Sequence, residues 1–356
     1  PTPQVTKEII STWRKMVRNK PYYMLACTKF GVQLLLGITS LLCQRRYKPM
    51  KKTCKIITLI LCTAVIVCSA FHQVLAQSAE SSKSGDAKSV PEHETELGTL
   101  ARKLNNPLSD VWAMQVEFQW NQLKGDLTRS GTHKNGYTLL FQPVLPIPLT
   151  EHWKLITRPV IPLVSTSLPE SSWNRIDFDR ETGLGDIELP LVFTKRSKSN
   201  FVIGFGPTFT FPTASSYELG AGKFEMGPAV ALTYKTKDIS MGVFPQYWWS
   251  VAGDGSSRPH TSHLALLWWF WYMLPKHWQV GISTTASFDN EATSGNKWNI
   301  PLGLSVGKML KLGKIPVKIQ SGLYYSVEHQ DDYGQRWQFK IDITPVIPSL
   351  MKKPLF

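Results

Sequence analysis

The fold this sequence predicts is all-β: a transmembrane antiparallel β-barrel of about 12 strands, preceded by a signal peptide. Three observations predict it. From Val111 onward, apolar and polar residues alternate with period two over long runs. All five cysteines lie before residue 70, whereas 12 of the 13 tryptophans lie after residue 76. A basic, apolar leader precedes the alternating body.

The leader accounts for the charge. The 356 residues carry 40 Lys and Arg against 26 Asp and Glu, a formal net charge of +14. Residues 1–76 hold 12 of the basic residues and one acid, Glu8, which leaves 28 basic against 25 acidic residues in the remainder. The basicity belongs to the first fifth of the chain, so the body is not a nucleic-acid binder. Lys51, Lys52 and Lys55 precede an uncharged, mostly apolar run from Ile56 to Phe71, and Val74-Leu75-Ala76 follows. This order describes a secretory signal peptide over 50–76; the alternative, a membrane anchor, needs about 20 apolar residues. Met50 is placed as an initiator. Residues 1–49 then read as upstream sequence from a misassigned start, or as a membrane-associated extension.

Residues 77–110 read as a flexible N-terminal segment. Gln77 to Val90 is rich in Ser, Ala, Lys and Gly and has no aromatic residue, a composition that stays disordered. Leu97, Leu100 and Leu104 share a weak helical spacing that stops at Asn105-Asn106-Pro107. The short helix reads first as a tether, with a seat in or below a barrel mouth as the alternative.

Residues 111–356 form the barrel. In 111–121, Trp112, Met114, Val116, Phe118 and Trp120 alternate with polar or small residues, and Trp337, Phe339, Ile341 and Ile343 do the same in 335–345. The runs 200–211, 277–289 and 315–328 are equally clean. Fainter ones lie at 136–146, 152–164, 185–194, 223–235, 238–251, 261–273 and 297–307. Pro143, Pro146, Pro159, Pro162 and Pro190 each remove a ladder donor, so bulges or broken pairing are expected near strands two to four.

A soluble sandwich turns its apolar face inward, and a membrane barrel turns it outward. Runs of about 10 residues suit a bilayer crossing, whereas soluble strands are mostly about 5–6 residues long. Trp112, Trp120, Trp153, Trp248, Trp249, Trp278, Trp298 and Trp337 sit near strand ends, as interface aromatics do. The even strand count and the export signal agree, and together they predict integral residence in a bacterial outer membrane. One run breaks the pattern: 263–273 is apolar on both faces, so Trp269 and Trp271 either enter the lumen or are covered from inside by a loop.

With the apolar face on lipid, the lumen receives Glu117, Lys154, Arg158, Asp186, Glu188, Glu225, Lys318, Glu328, Arg336, Lys340 and Asp342, together with several glutamines. Both signs occur in similar numbers. Such a lining selects small solutes, or it pairs off into a closed lumen that stiffens the wall. In the last strand Arg336, Gln338, Lys340 and Asp342 should share one wall, with Glu117 facing them where the first and last strands pair. No catalytic motif, cofactor site or metal site is expected. His260, Ser262 and His263 beside 253–257 have no third orienting group in their spacing, as a Ser–His pair needs, and no acidic cluster for a metal.

A set of ordered Gly and Pro blocks narrows the family. Leu100-Ala101-Arg102-Lys103-Leu104-Asn105-Asn106-Pro107, Gln142-Pro143-Val144-Leu145-Pro146, Trp153-Lys154-Leu155-Ile156-Thr157-Arg158 and Gly183-Leu184-Gly185-Asp186 come first. Gly204-Phe205-Gly206-Pro207, Phe211-Pro212-Thr213-Ala214, Leu219-Gly220-Ala221-Gly222-Lys223, Gly227-Pro228-Ala229 and Trp298-Asn299-Ile300-Pro301-Leu302-Gly303 follow. From about residue 97 to 345 the chain resembles the outer-membrane family "MetA-pathway of phenol degradation". The resemblance implies a porin-like channel or transporter for small solutes, hydrophobic or aromatic compounds among them. It brings no enzyme motif. The partners expected are the outer-membrane lipid bilayer and a small-molecule solute. A structural or interaction barrel with a closed lumen is the alternative, and a lipid-modifying enzyme the third reading.

Overall fold

The computed structural model describes residues 92–356, apart from 107, 109, 129–131, 173–174, 198, 254–257, 350 and 352. The expected signal peptide over 50–76, the 1–49 stretch and the 77–90 segment lie outside the described residues. One helix, α1 (Glu92–Leu104), precedes the strands β1 (Ala113–Lys124), β2 (Lys134–Pro148), β3 (Trp153–Thr157), β4 (Ile161–Ser172), β5 (Arg175–Leu184), β6 (Ile187–Lys195) and β7 (Phe201–Phe211). Then come β8 (Lys223–Lys235), β9 (Ile239–Gly253), β10 (Ser262–Met273), β11 (Trp278–Asp289), β12 (Trp298–Leu312), β13 (Ile315–Glu328) and β14 (Gly334–Pro345).

All strand pairs are antiparallel neighbours in one sheet, and β1 pairs with both β2 and β14, which closes the wall. Two wall positions are shared by two segments each. β2 pairs with β3 through Leu145–Pro148 and with β4 through Tyr137–Phe141. β3 in turn pairs with β6, and β4 with β5. Each couple is one long strand broken once, so the barrel has 12 wall strands.

The breaks fall where the prolines cluster. Pro159 lies in the gap between β3 and β4, and Gly185-Asp186 lies in the facing gap. A proline has no N–H for the ladder, and the gap is stitched instead by Gly185 N–H to Pro162 O at 2.9 Å and by a single bridge between Val160 and Glu188. Pro143, Pro146 and Pro190 are accommodated within β2 and β6. The β4–β5 hairpin runs on beyond the break to residues 172 and 175, through a stretch that carries no strand signal in the sequence. Its polar residues Asp177, Asp179 and Glu181 on one face and Arg180 and Thr182 on the other suit a hairpin with water on both faces. Tyr333, in the β13–β14 loop, donates to Ser167 O at 2.6 Å and ties the hairpin down. Burial pushes the Tyr333 phenol up to about 12, so it remains a donor at neutral pH.

Burial is inverted relative to a soluble protein. Thr194, Thr208, Glu225, Thr233, Gln279 and Thr284 are all at most 1% exposed, whereas Leu304 is 62%, Phe205 55% and Ile203 50% exposed. Leaving such residues in water would cost about 25 cal/mol per Å² of apolar surface, which is avoided when hydrocarbon is the solvent. Among the described residues no helix is long and apolar enough to cross a membrane; the crossings are made by strands.

The exposed tryptophans form two belts. Trp153 and Trp278 mark the end that carries α1 and the short strand connections, the periplasmic end of such barrels. Trp249, Trp298 and Trp337, with the half-buried Trp120 beside them, mark the end with the longer loops. Two expected belt members are elsewhere. Trp112 is 7% exposed and donates from Nε1 to Pro146 O at 3.0 Å, and the chain after β14 crosses it through Ile347 N–H to Trp112 O. Trp248 is 2% exposed and stacks on His263. Consecutive strand residues point to opposite faces, so Trp248 and Trp249 could not both face lipid.

α1, whose first reading is a tether, instead packs at the barrel mouth against β12, β13 and the 275–277 turn, as the alternative reading has it, and the segment after it enters the lumen. Asn105 and Leu108 are 6% and 2% exposed, and Leu108 packs with Ile156, Val192, Val202, Phe244, Trp269 and Trp271 inside the barrel. Lys154 Nζ reaches Leu108 O at 2.8 Å and Asp110 Oδ1 at 2.5 Å. Asn105 donates to Gln279 Oε1, accepts from Lys318 Nζ, both at 2.6 Å, and receives the Ser240 hydroxyl at its carbonyl. The chain before β1 therefore fills the periplasmic part of the lumen.

Candidate functional site: the barrel lumen

Above this plug lies a cavity of about 440 Å³ with two unlike walls. β1, β13 and β14 contribute Gln115, Glu117, Gln119, Lys318, Gln320, Gln338, Lys340 and Asp342, all on the inward register of their strands. The broken strands add Arg158 and Glu188. β9 and β10 face them with Phe244, Leu267, Trp269 and Trp271, while Asn105 and Asn106 form the floor. Trp269 and Trp271 enter the lumen, where the plug residue Leu108 covers them; both readings of the 263–273 run hold in part.

The polar wall is wired together. Register places Glu117 across from Asp342. Lys340 Nζ lies 3.7 Å from Glu117 Oε1 and donates to Ser283 O at 3.0 Å, with the Tyr324 ring 5.0 Å beneath it. Glu117 accepts from Gln119 at 2.5 Å, and Asp342 accepts from Gln115 at 2.6 Å and Gln320 at 3.3 Å. Arg158 donates to Gln115 and Gln142 at 2.9 and 2.5 Å. Charges buried in this way persist because each has partners.

Of the eleven residues expected in the lumen, Glu117, Arg158, Glu188, Lys318, Lys340 and Asp342 line the cavity. Lys154 points inward but is spent on the plug. Glu225 is buried near the loop end, accepting from Thr261 Oγ1 at 2.5 Å with His263 Nε2 3.8 Å away. The remaining three, like Lys154 and Glu225, are not on the cavity. Asp186 accepts the backbone N–H of Ala214 and Ala221 and so folds the β7–β8 loop. Glu328 ends β13 and is exposed at the rim. Arg336 sits in a bulge: Gln122 pairs with Trp337 and Leu123 with Gln335, which leaves Arg336 without a partner on β1. The extra residue breaks the alternation, and its guanidinium lies 4.7 Å over the Tyr325 ring, beside Trp337 on the outer face. The expected ladder of Arg336, Gln338 and Lys340 is therefore interrupted at its first rung.

Sequence reasoning missed Asn105, Leu108, Phe244 and Gln246. The first two lie in a segment whose Asn-Asn-Pro is legible only as a helix stop, and Phe244 and Gln246 share the inner face of β9 with Ser240, Gly242 and Trp248, a mixed row that does not announce which side is the lumen. Near residue 260, Ser262 bonds Tyr247 OH at 2.6 Å while His263 stacks on Trp248. His260 Nδ1 contacts Ser250 Oγ at 3.4 Å. These are contacts at the loop end of β9 and β10 without a nucleophile–base–carboxylate chain. Among the described residues no His, Cys, Asp and Glu group could hold a metal ion.

No curated protein matches the chain. Among solved structures, the COG4313 outer membrane channel from Pseudomonas putida F1 is similar at 13% identity and a TM-score of 0.52, covering 67% of this chain and 97% of that one. The NanC porin is 12% identical at a TM-score of 0.37, over 67% of this chain and 99% of its own. The Pseudomonas putida toluene transporter TodX is 11% identical at a TM-score of 0.36, over 69% and 92%. The family model described as "Putative MetA-pathway of phenol degradation" matches residues 124–328, from the end of β1 to the end of β13. With the Gly and Pro blocks in order and the closed 12-strand wall beneath them, the chain belongs to that family.

Proposed function

We propose that this barrel is an outer-membrane channel for small solutes that carry both an apolar body and a polar group. The observation that carries the reading is the two-sided cavity: Phe244, Leu267, Trp269 and Trp271 offer an apolar wall, and Arg158, Glu117, Lys340 and Asp342 an ionic one. A wholly polar solute gains nothing from the first wall, and a pure hydrocarbon leaves the second unsatisfied. Membership of the family and the fold shared with the COG4313 channel agree with passage of a small molecule. No nucleophile–base pair lines the cavity, so transport is favoured over catalysis. Purified protein in a planar bilayer tests the reading. Small discrete conductance steps are expected, and removal of residues 92–110 should enlarge them severalfold, because Asn105 and Leu108 leave the lumen.

A closed structural barrel is the second reading, favoured by the lodged Asn105 and Leu108 and by the hydrogen-bonded polar wall. Silence of both the whole protein and the shortened one would support it. We also propose export through a signal peptide cut near Ala76. N-terminal sequencing of membrane-extracted protein should begin at Gln77 or Ser78; a start within 1–50 would overturn both the cleavage and the start-site interpretation.

A further inference from the structure

Three cations and three carboxylates line the cavity, and five of these six groups are held by neighbours. Lys340 Nζ lies against Glu117 and the Ser283 carbonyl. Lys318 Nζ donates to Asn105 Oδ1 at 2.6 Å. Arg158 Nη2 is taken up by Gln115 and Gln142, and Asp342 by Gln115 and Gln320. The sixth group is Glu188, partly exposed on the inner face of β6. Among the described residues no N–H or O–H donates to its carboxylate and no cation forms an ion pair with it. The wall break explains why. Glu188 meets the next segment only through the single bridge to Val160, where the two backbones bond each other. Pro162 and Pro190, beside it on the cavity, carry no N–H and no polar side chain. Asp186 is committed to the backbone of Ala214 and Ala221. Thr210 stands opposite on β7, and beyond it in the same register row is Glu225. The charges acting on Glu188 are thus one guanidinium, engaged with glutamine oxygens, and a second carboxylate.

We propose that Glu188 is the recognition group of this cavity, and that the solutes it selects are ammonium ions borne on an apolar, ring-sized body. The inference deepens the channel reading and rests on it for the solute's access to the lumen. A carboxylate held away from bulk water without a donor is costly, and the cost falls when a ligand brings the donor. An alcohol offers one neutral donor, whereas a primary ammonium offers three together with a full charge. A carboxylate solute would be repelled by Glu188 and Glu225 alike. The apolar body has a place as well: Phe244, Leu267, Trp269 and Trp271 line the same 440 Å³ space, a size that suits small ligands, and aromatic faces attract cations. A bare metal ion fits less well. Among the described residues no group of metal ligands is present, and a single carboxylate does not replace a hydration shell.

The test uses the full chain in mild detergent, with binding read by isothermal titration calorimetry and conductance read separately in a planar bilayer. The probes are benzylammonium, benzyl alcohol, benzoate and methylammonium. Benzylammonium should bind about tenfold or more tighter than benzyl alcohol, the gain from one charge-assisted hydrogen bond. Benzoate should bind more weakly than the alcohol, and methylammonium, which lacks the ring, more weakly than benzylammonium. Glu188→Gln should abolish the tenfold preference and leave alcohol binding unchanged, whereas Glu188→Asp should keep the order of the probes with a smaller margin. Phe244→Ala should weaken benzylammonium and benzyl alcohol by the same factor. The order of the probes on the unsubstituted protein keeps the test open should a variant fold poorly. Alcohol bound as tightly as the ammonium, benzoate bound more tightly than either, or a preference that survives Glu188→Gln would overturn the proposal. The channel reading fails on a different result. Ammonium preference in a protein that shows no conductance supports the Glu188 site and removes the channel, whereas conductance without ammonium preference removes the site alone.

Discussion

Leu304→Arg is expected to destabilise the barrel by about 2–4 kcal/mol. Leu304 is the most exposed of the strand residues on the apolar face, at 62%, and it stands halfway along β12. Its guanidinium would be held in hydrocarbon with no water and no partner in reach. The same substitution at Leu312, at the end of that strand, should cost no more than about 1 kcal/mol, because the penalty falls away towards the interface. Urea unfolding in lipid vesicles would measure both. Equal losses at the two positions would mean that the outer face is not a membrane surface. The comparison is cleaner than one between neighbours such as Ile341 and Asp342. Asp342 is 4% exposed and bonded to Gln115 and Gln320, so an arginine there would disturb the polar wall instead of relieving the lipid face.

Glu117→Ala should cost about 3–5 kcal/mol, the usual loss when one partner of a buried ion pair is removed. Lys340 would lose its carboxylate, and Gln119 its acceptor. Lys340 keeps the Ser283 carbonyl at 3.0 Å and the Tyr324 ring, so the lower end of that range is expected. Arg336→Gln should cost less, about 0.5–1 kcal/mol, the loss of its stacking over the Tyr325 ring at a half-buried outer position. The pair also separates the two faces functionally. Lys340→Gln should shift the reversal potential of the channel towards cation preference, and Arg336→Gln should leave it where it was. A shift from Arg336→Gln of the same size would put that side chain back in the lumen.

How much of this is legible in the sequence depends on whether a residue's direction is set by its own strand. The alternation that predicts a membrane barrel survives almost everywhere, because every strand must present one face to hydrocarbon. The cavity residues Glu117, Lys318, Lys340 and Asp342 are readable for the same reason. Arg336 is not, since a bulge depends on how β14 pairs with β1 and nothing in Gln335-Arg336-Trp337 announces it. Trp248 reads as a belt residue because its neighbour is one, although alternation alone forbids both. Asp186 lies in a strand break, where period two no longer assigns a face. The β4–β5 hairpin lacks a signal for a physical reason: beyond the membrane, neither face is required to be apolar. The plug is the hardest to see. Asn105 gains its meaning only from Gln279 and Lys318, more than 170 residues away.

The plug also has a mechanical consequence. Leu108 lies only five residues before the first residue of β1, and β1 is one half of the seam that closes the wall. A chain drawn from its amino end would meet resistance first at Asn105 and Leu108, then at the β1–β14 seam, and only afterwards at the remaining hairpins. The lumen contents and the seam are therefore in series along one line of force. In single-molecule pulling the first rupture should be a short one that empties the barrel while its wall stays closed, followed by a longer one that unzips it. The order also bears on assembly: Asn105, Asn106 and Leu108 are captured as the seam closes, so the wall need not be threaded after it has formed.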